Sequence, residues 1–162
     1  MFRSKPSLRR PLAVLGAAVL GLGAAVMVAS PASAHHSEVS VKADCDTATG
    51  EWVLTWTVNS YAPPGVERYK LVNVVGKSFV KGEGTEFSLP GIAVTEGNSY
   101  PHTVGTPLVA THRLPGETNR ALLRVKAKWE NGHREQEFAS AEIKLGGTCV
   151  KEEEPPPSRP PR

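Results

Sequence analysis

Two adjacent histidines, His35 and His36, directly follow the small-residue run Ala32-Ser33-Ala34. A cut at that point leaves His35 with a free amino group beside its imidazole. An amine and an imidazole on one residue can chelate Cu(II), an ion that suits nitrogen donors. A third nitrogen would come from His102, His112 or His133, and the spacing does not say which one approaches. The plainer account is that a polar, exposed terminus carries histidines for no special reason. Copper binding, with His35 and His36 as the metal candidates, is therefore an alternative reading, and no other cofactor is expected.

The chain has two cysteines, Cys45 and Cys149. In an oxidising compartment they suit one clasp across an ordinary hydrophobic core. A closed loop of roughly 100 residues gives such a clasp up to about 4–5 kcal/mol in the chain-entropy model. Free thiols or intermolecular bonds are the rivals. Catalysis finds little support. No nucleophile elbow surrounds a serine, and there is no His-Glu-x-x-His pair or Gly-rich phosphate loop. Glu135, Glu137 and Glu142 lie on or near a hairpin and read as a solvent-facing rim, not a catalytic carboxylate pair. The expectation is a protein that is not an enzyme.

The elements that must position these groups are strands. Trp52, Leu54, Trp56 and Val58 alternate with Val53, Thr55 and Thr57, giving one strongly apolar face. Leu123, Val125, Ala127 and Trp129 alternate with Arg124, Lys126, Lys128 and Glu130, and Asn131-Gly132 then marks a hairpin. The returning strand carries Phe138 and then Ala139, Ala141, Ile143 and Leu145, with a parity change that suggests a bulge near Phe138. Weaker strand signals lie at Ser37–Ala43, at 67–75, at Ser78–Lys81 after a turn at Gly76-Lys77, at Thr85–Leu89 and at Val104–His112. Tyr69, Leu71 and Val75 would share a face in the second of these. The sum is an all-β, immunoglobulin- or fibronectin-like antiparallel sandwich of about seven or eight strands with one disulfide.

That framework assigns the aromatics. Trp52, Trp56 and Trp129 share parity with aliphatic residues and belong to the core. Tyr61, Tyr69 and Tyr100, near turns, are the candidate outward platforms for a sugar. Arg124, Lys126 and Lys128 form a stripe that could touch an anionic wall polymer. The bland alternative for the stripe is a solvated sheet face whose lysines discourage edge pairing.

Residues 1–34 read as a signal peptide. Arg3, Lys5, Arg9 and Arg10 form a basic head, Leu12–Val28 is uncharged and apolar, and Ala32-Ser33-Ala34 is a cleavage site. Arg9-Arg10 admits twin-arginine export beside the ordinary unfolded route. Residues 35–150 form the sandwich domain, with a short polar leader at 35–37, and 151–162 a disordered Pro/Glu-rich tail. The whole chain holds 19 basic and 16 acidic residues. Loss of the four basic residues of the head leaves 15 against 16, a formal net charge of −1. A strong basic field for nucleic acid is therefore absent. The expected location is extracellular, with wall association open and no retained transmembrane segment.

The segment Cys45-Asp-Thr-Ala-Thr-Gly-Glu-Trp-Val-Leu-Thr-Trp-Thr-Val58, together with Gly-Gly-Thr-Cys149, resembles a family of small secreted actinobacterial proteins of unknown function. The resemblance implies an immunoglobulin-like surface domain with one clasp, often continued by a Pro-rich stalk to a wall-sorting motif. Lys151–Arg162 is similar to the start of such a stalk, without the sorting motif. The family adds no catalytic residue. A fainter likeness is to exported copper-carrier domains, also sandwiches that begin with histidine. Together these imply a non-catalytic secreted or surface protein. Its partner would be a cell-wall polymer or a surface protein, with a polysaccharide-binding module as the first alternative and copper binding as the second.

Overall fold

The computed structural model describes residues 35–153; the expected signal peptide and residues 154–162 of the tail lie outside the described residues. Eight strands are present among them: β1 (His36–Asp46), β2 (Glu51–Tyr61), β3 (Arg68–Val80), β4 (Glu83–Phe87), β5 (His102–Thr103), β6 (Leu108–Pro115), β7 (Arg120–Trp129) and β8 (Ala139–Lys144). No helix among the described residues is long and apolar enough to cross a membrane.

The strands form two antiparallel sheets, β1-β2-β6 and β4-β3-β7-β8, with β5 added beside β3. This is the three-on-four order of a fibronectin-like sandwich, as the alternation of β2 and β7 implies. Each sheet turns one parity inward. Leu54, Trp56 and Val58 from β2 meet Ala121, Leu123, Val125, Ala127 and Trp129 from β7, all fully buried. Leu89, Ile92, Leu114 and Leu145 close the core at its margins.

The predicted clasp exists. Cys45 in β1 is bonded to Cys149, which follows β8, with a Cα–Cα distance of 5.5 Å. Gly116 lies against this corner so closely that a Cβ there would come within 2.0 Å of the Cys149 carbonyl oxygen and 2.4 Å of that of Gly50. Its own carbonyl accepts hydrogen bonds from the Cys149 N–H and the Trp52 Nε1–H, both at 3.0 Å.

Several local expectations are corrected. Gly76-Lys77 is not a turn, because β3 runs unbroken through it. Glycine stands there because the Phe87 ring occupies the space a side chain would need, 2.5 Å from an added Cβ. The bulge lies in β3, where register against β7 shifts between Leu71 and Asn73, and β8 begins only after Phe138. The extra residue reverses the parity of the rest of β3, so Val75 leaves the face of Tyr69 and Leu71 and turns outward. Tyr69 is no outward platform: it is fully buried, and burial pushes its phenol up to about 12. The polar leader is also ordered, since β1 begins at His36 and Ser37 is buried.

Candidate functional site

Two regions of the surface collect polar chemistry: the end of the sandwich where β1 begins, and the outer face of the larger sheet.

At the first, alternation along the chain turns His35 and His36 to different neighbours. The His35 ring lies 4.2 Å from that of His133, nearly parallel at 14°, and meets Trp129 edge-on at 5.2 Å. Asn131 places its side-chain amide 2.9 Å from His35 Nε2. His36 instead stacks on Tyr61 at 4.7 Å and approaches Glu38 at 3.6 Å. The structure thus gives the two metal candidates different ring partners, although both line one groove, and brings His35 to His133. The turn after β7 makes this possible. Gly132 takes a φ of 90°, and the Trp129 N–H donates to the His133 carbonyl at 2.9 Å, holding His133 beside the buried indole.

The other two histidines stay away. His102 pairs with Tyr69, which pairs with Trp129, so it stands two strands from the indole, about 10 Å by strand spacing. His112 stacks on Phe87 at 4.4 Å. Desolvation lowers the pKa of His35, His102 and His112; for His35 the neighbouring His133 lowers it further and the Asn131 contact opposes this. Each of these rings is thereby held toward its neutral form.

Beneath the histidines runs an open groove of about 740 Å³, lined by His35, Ser37, His133, Arg134, Glu137 and Phe138 among others. Glu135 does not belong to a solvent rim. Its carboxylate accepts from the Ser37 N–H at 2.6 Å, the Ser37 hydroxyl at 3.2 Å and the Ala127 N–H at 2.7 Å. Glu142 is exposed and faces Arg120 at 3.5 Å. Glu137, the third of these carboxylates, is exposed and lines the same groove as Glu135. Among the described residues, no group of three or more His, Cys, Asp or Glu side chains could hold a metal ion.

At the second region, the outward parity of β7 presents Arg120, Leu122, Arg124, Lys126 and Lys128. Lys77 stands opposite Leu122 from β3, and Lys144 opposite Arg120 from β8. The bulge contributes here, because it brings Val75 outward opposite Arg124. Val75, Phe79 and Leu122 form the apolar floor of a cradle of about 330 Å³, with Lys77, Arg120 and Arg124 and one carboxylate, Glu142, around it. The Arg120 guanidinium lies 3.8 Å over the Phe79 ring, and Lys126 Nζ lies 4.6 Å over Phe138. Two carboxylates share this face, Glu86 with Lys77 at 3.5 Å and Glu142 with Arg120. Among the described residues, Arg124, Lys126, Lys128 and Lys144 make no ion pair.

Of the aromatics, Trp56 and Trp129 are fully buried and Trp52 is half-buried. Tyr61 is exposed under His36, and Tyr100 is partly covered beside Lys70. No continuous aromatic platform results. The roles of Glu135 and of Val75 were missed in sequence because each depends on a long-range contact or a register shift. The isolated position of Glu135 after the Asn131-Gly132 turn carried no signal of either.

No protein-family model matches the chain, and no curated protein matches it. A crystal structure provisionally described as ApaA from Bordetella pertussis aligns with a TM-score of 0.45 and 17% identity, over 72% of this chain and 98% of that one. Similarity at that level carries no inference about activity.

Proposed function

We propose that this is a secreted, non-catalytic surface protein whose larger sheet binds an anionic cell-wall polymer. The observation that carries the reading is the outer face of β7. Arg124, Lys126 and Lys128 line up there with no ion pair among the described residues, beside the cradle of Lys77, Arg120 and Arg124. The processed chain has a formal net charge of −1, so this face is a local concentration of positive charge and not a general property. Alternate residues of a strand lie about 6.6 Å apart, which suits a linear polymer with one phosphate or carboxylate per short repeat. The apolar floor of Val75, Phe79 and Leu122 would take the carbon backbone of such a repeat. This is the polysaccharide and wall-binding alternative of the sequence analysis, with its aromatic platforms replaced by a cationic sheet.

Export is part of the proposal. It rests on the basic head, apolar stretch and small-residue exit of residues 1–34, and it agrees with a disulfide that oxidising compartments preserve. The resemblance to small actinobacterial surface proteins agrees with it too. Non-catalytic action is supported by the roles of the carboxylates: Glu135 holds backbone and Glu142 faces Arg120.

The test is sedimentation with purified Gram-positive walls, before and after chemical removal of their anionic polymer. Binding is expected to the intact walls only, and to weaken steeply with salt because exposed charges are screened within about 10 Å at 0.1 M. Arg124→Glu with Lys128→Glu should abolish it while leaving the fold unchanged. Equal binding to stripped walls, or by the charge-reversed protein, would overturn the proposal.

A further inference from the structure

We infer that removal of residues 1–34 creates a Cu(II) site from the His35 amine, the His35 imidazole and the His133 imidazole. This goes beyond polymer binding and rests on the export reading for the cut that frees the amine.

The juxtaposition is specific. Of three candidate histidines, the fold delivers one, His133, into ring contact with His35 at 4.2 Å. His36 is taken the other way, to Tyr61 and Glu38. The side chains alone supply two nitrogens, so a stable site needs the third donor that cleavage exposes. The amine and Nδ1 of one histidine close a six-membered chelate ring. Asn131 engages Nε2, the other nitrogen, and so orients the ring without occupying the chelating atom. An outer partner of this kind is what metal-bound histidines commonly have. Both histidines lie beside the open groove, which gives an ion a route in. Nitrogen donors and the stability order of divalent ions favour Cu(II) over the other first-row metals.

Binding requires a local rearrangement. Nearly parallel rings direct their lone pairs side by side, not toward one point. His133 is exposed on the turn at Gly132 and must rotate edge-on to share an ion with His35. On binding, the amine loses its ammonium proton and the stack opens. His133 then leaves the face of Trp129, which it now approaches at 5.7 Å. The indole next to the site therefore reports the event through its fluorescence.

The experiment uses protein exported by a host and taken from the medium, with its first residue established by mass. Titration with Cu(II) against a glycine competitor should give one ion per chain, with quenching of tryptophan emission. Paramagnetic resonance should show three coordinated nitrogens, and two in His133→Ala. Loss of an outer partner costs a metal site roughly 10–100-fold, so loss of the ligand His133 should cost at least about tenfold. Capping the amine by acetylation should cost more, and His36→Ala should leave affinity unchanged. Circular dichroism confirms that each variant is folded. His133→Ala binding as tightly as the parent, or His36→Ala binding more weakly than His133→Ala, would overturn the site. If the exported chain begins elsewhere than His35, the export reading fails by itself. Chain released in vitro with His35 first then decides the copper site separately, by the same titration.

Discussion

Ser37 and Glu135, 98 residues apart, are joined by two hydrogen bonds to a single carboxylate, from the backbone N–H at 2.6 Å and the hydroxyl at 3.2 Å. The same carboxylate accepts the Ala127 N–H at 2.7 Å. One side chain thus fastens the start of β1 in one sheet to β7 in the other. Hydrogen bonds to charged groups contribute about 1.5–3 kcal/mol each, and orphaned buried donors cost more than absent ones. Glu135→Ala should lower the unfolding free energy by about 2–4 kcal/mol in urea titration, and Glu135→Gln by less. Amide exchange at Ser37 should accelerate far more than at Val58. Unchanged exchange at Ser37 would show that β1 is held by other means.

Replacing Cys45 and Cys149 together by alanine should destabilise the fold. With the bonded positions 104 residues apart in sequence, the chain-entropy model gives up to about 4–5 kcal/mol. The check is the urea midpoint of the variant against the parent, with and without reductant. A parent whose midpoint ignores reductant would refute this.

Gly116→Ala should be among the costliest single-methyl additions in the chain. The new carbon would meet two carbonyl oxygens of the backbone, of Cys149 and Gly50, which cannot swing aside as a side chain can. Overpacking of this kind costs about 1–3 kcal/mol or more. Gly76→Ala meets the Phe87 ring instead, so Phe87→Leu in the same chain should recover part of its loss. A thermal double-mutant cycle reads the coupling, and strict additivity would mean the ring is not the obstacle.

Stability should fall as pH is lowered from 7.5 toward 5. His35, His102 and His112 have folded pKa values below the ordinary 6.5, mainly because burial disfavours their charged forms. The unfolded chain therefore takes up protons first. The stabilisation is complete above 6.5 and is lost as pH drops through the lower folded values. At still lower pH Asp46 adds a second loss, because the Arg113 guanidinium 2.9 Å away holds its carboxyl below the usual range. Melting temperature against pH tests both steps. His112→Phe should flatten the first and Arg113→Ala the second; parallel curves for parent and variants would reject the assignment.

Most of the sandwich was legible because burial on one face of a strand leaves a period of two. The β7 residues Leu123 to Trp129 alternate with charge, and the structure keeps every one of them on its expected side. Beyond Leu71 the reading of β3 failed for one reason. A bulge adds a residue without any compositional mark, and every later side chain changes face. Val75 consequently became part of the cradle floor instead of the core. Gly76 failed differently: glycine serves both turns and close approaches, and only the position of Phe87 tells them apart. The cationic stripe was visible as Arg124, Lys126 and Lys128, whereas the contributions of Lys77 and Lys144 needed the strand order. For the histidines, the sequence offered three partners for His35, and the turn at Gly132 selected His133.

The position of the Cys45–Cys149 bond sets how the domain would carry a mechanical load. A pull on the segment after Val150 meets Cys149 before it reaches β8, and the covalent branch diverts tension into Cys45 in β1. There it loads the eleven-residue β1–β2 ladder along its length, from Cys45–Trp52 toward His36–Tyr61. The strands β7 and β8 that bear the cationic face are spared from being unzipped from their C-terminal end. Force applied at the end of the domain that carries Cys149 would thus leave the geometry of the cationic face undisturbed.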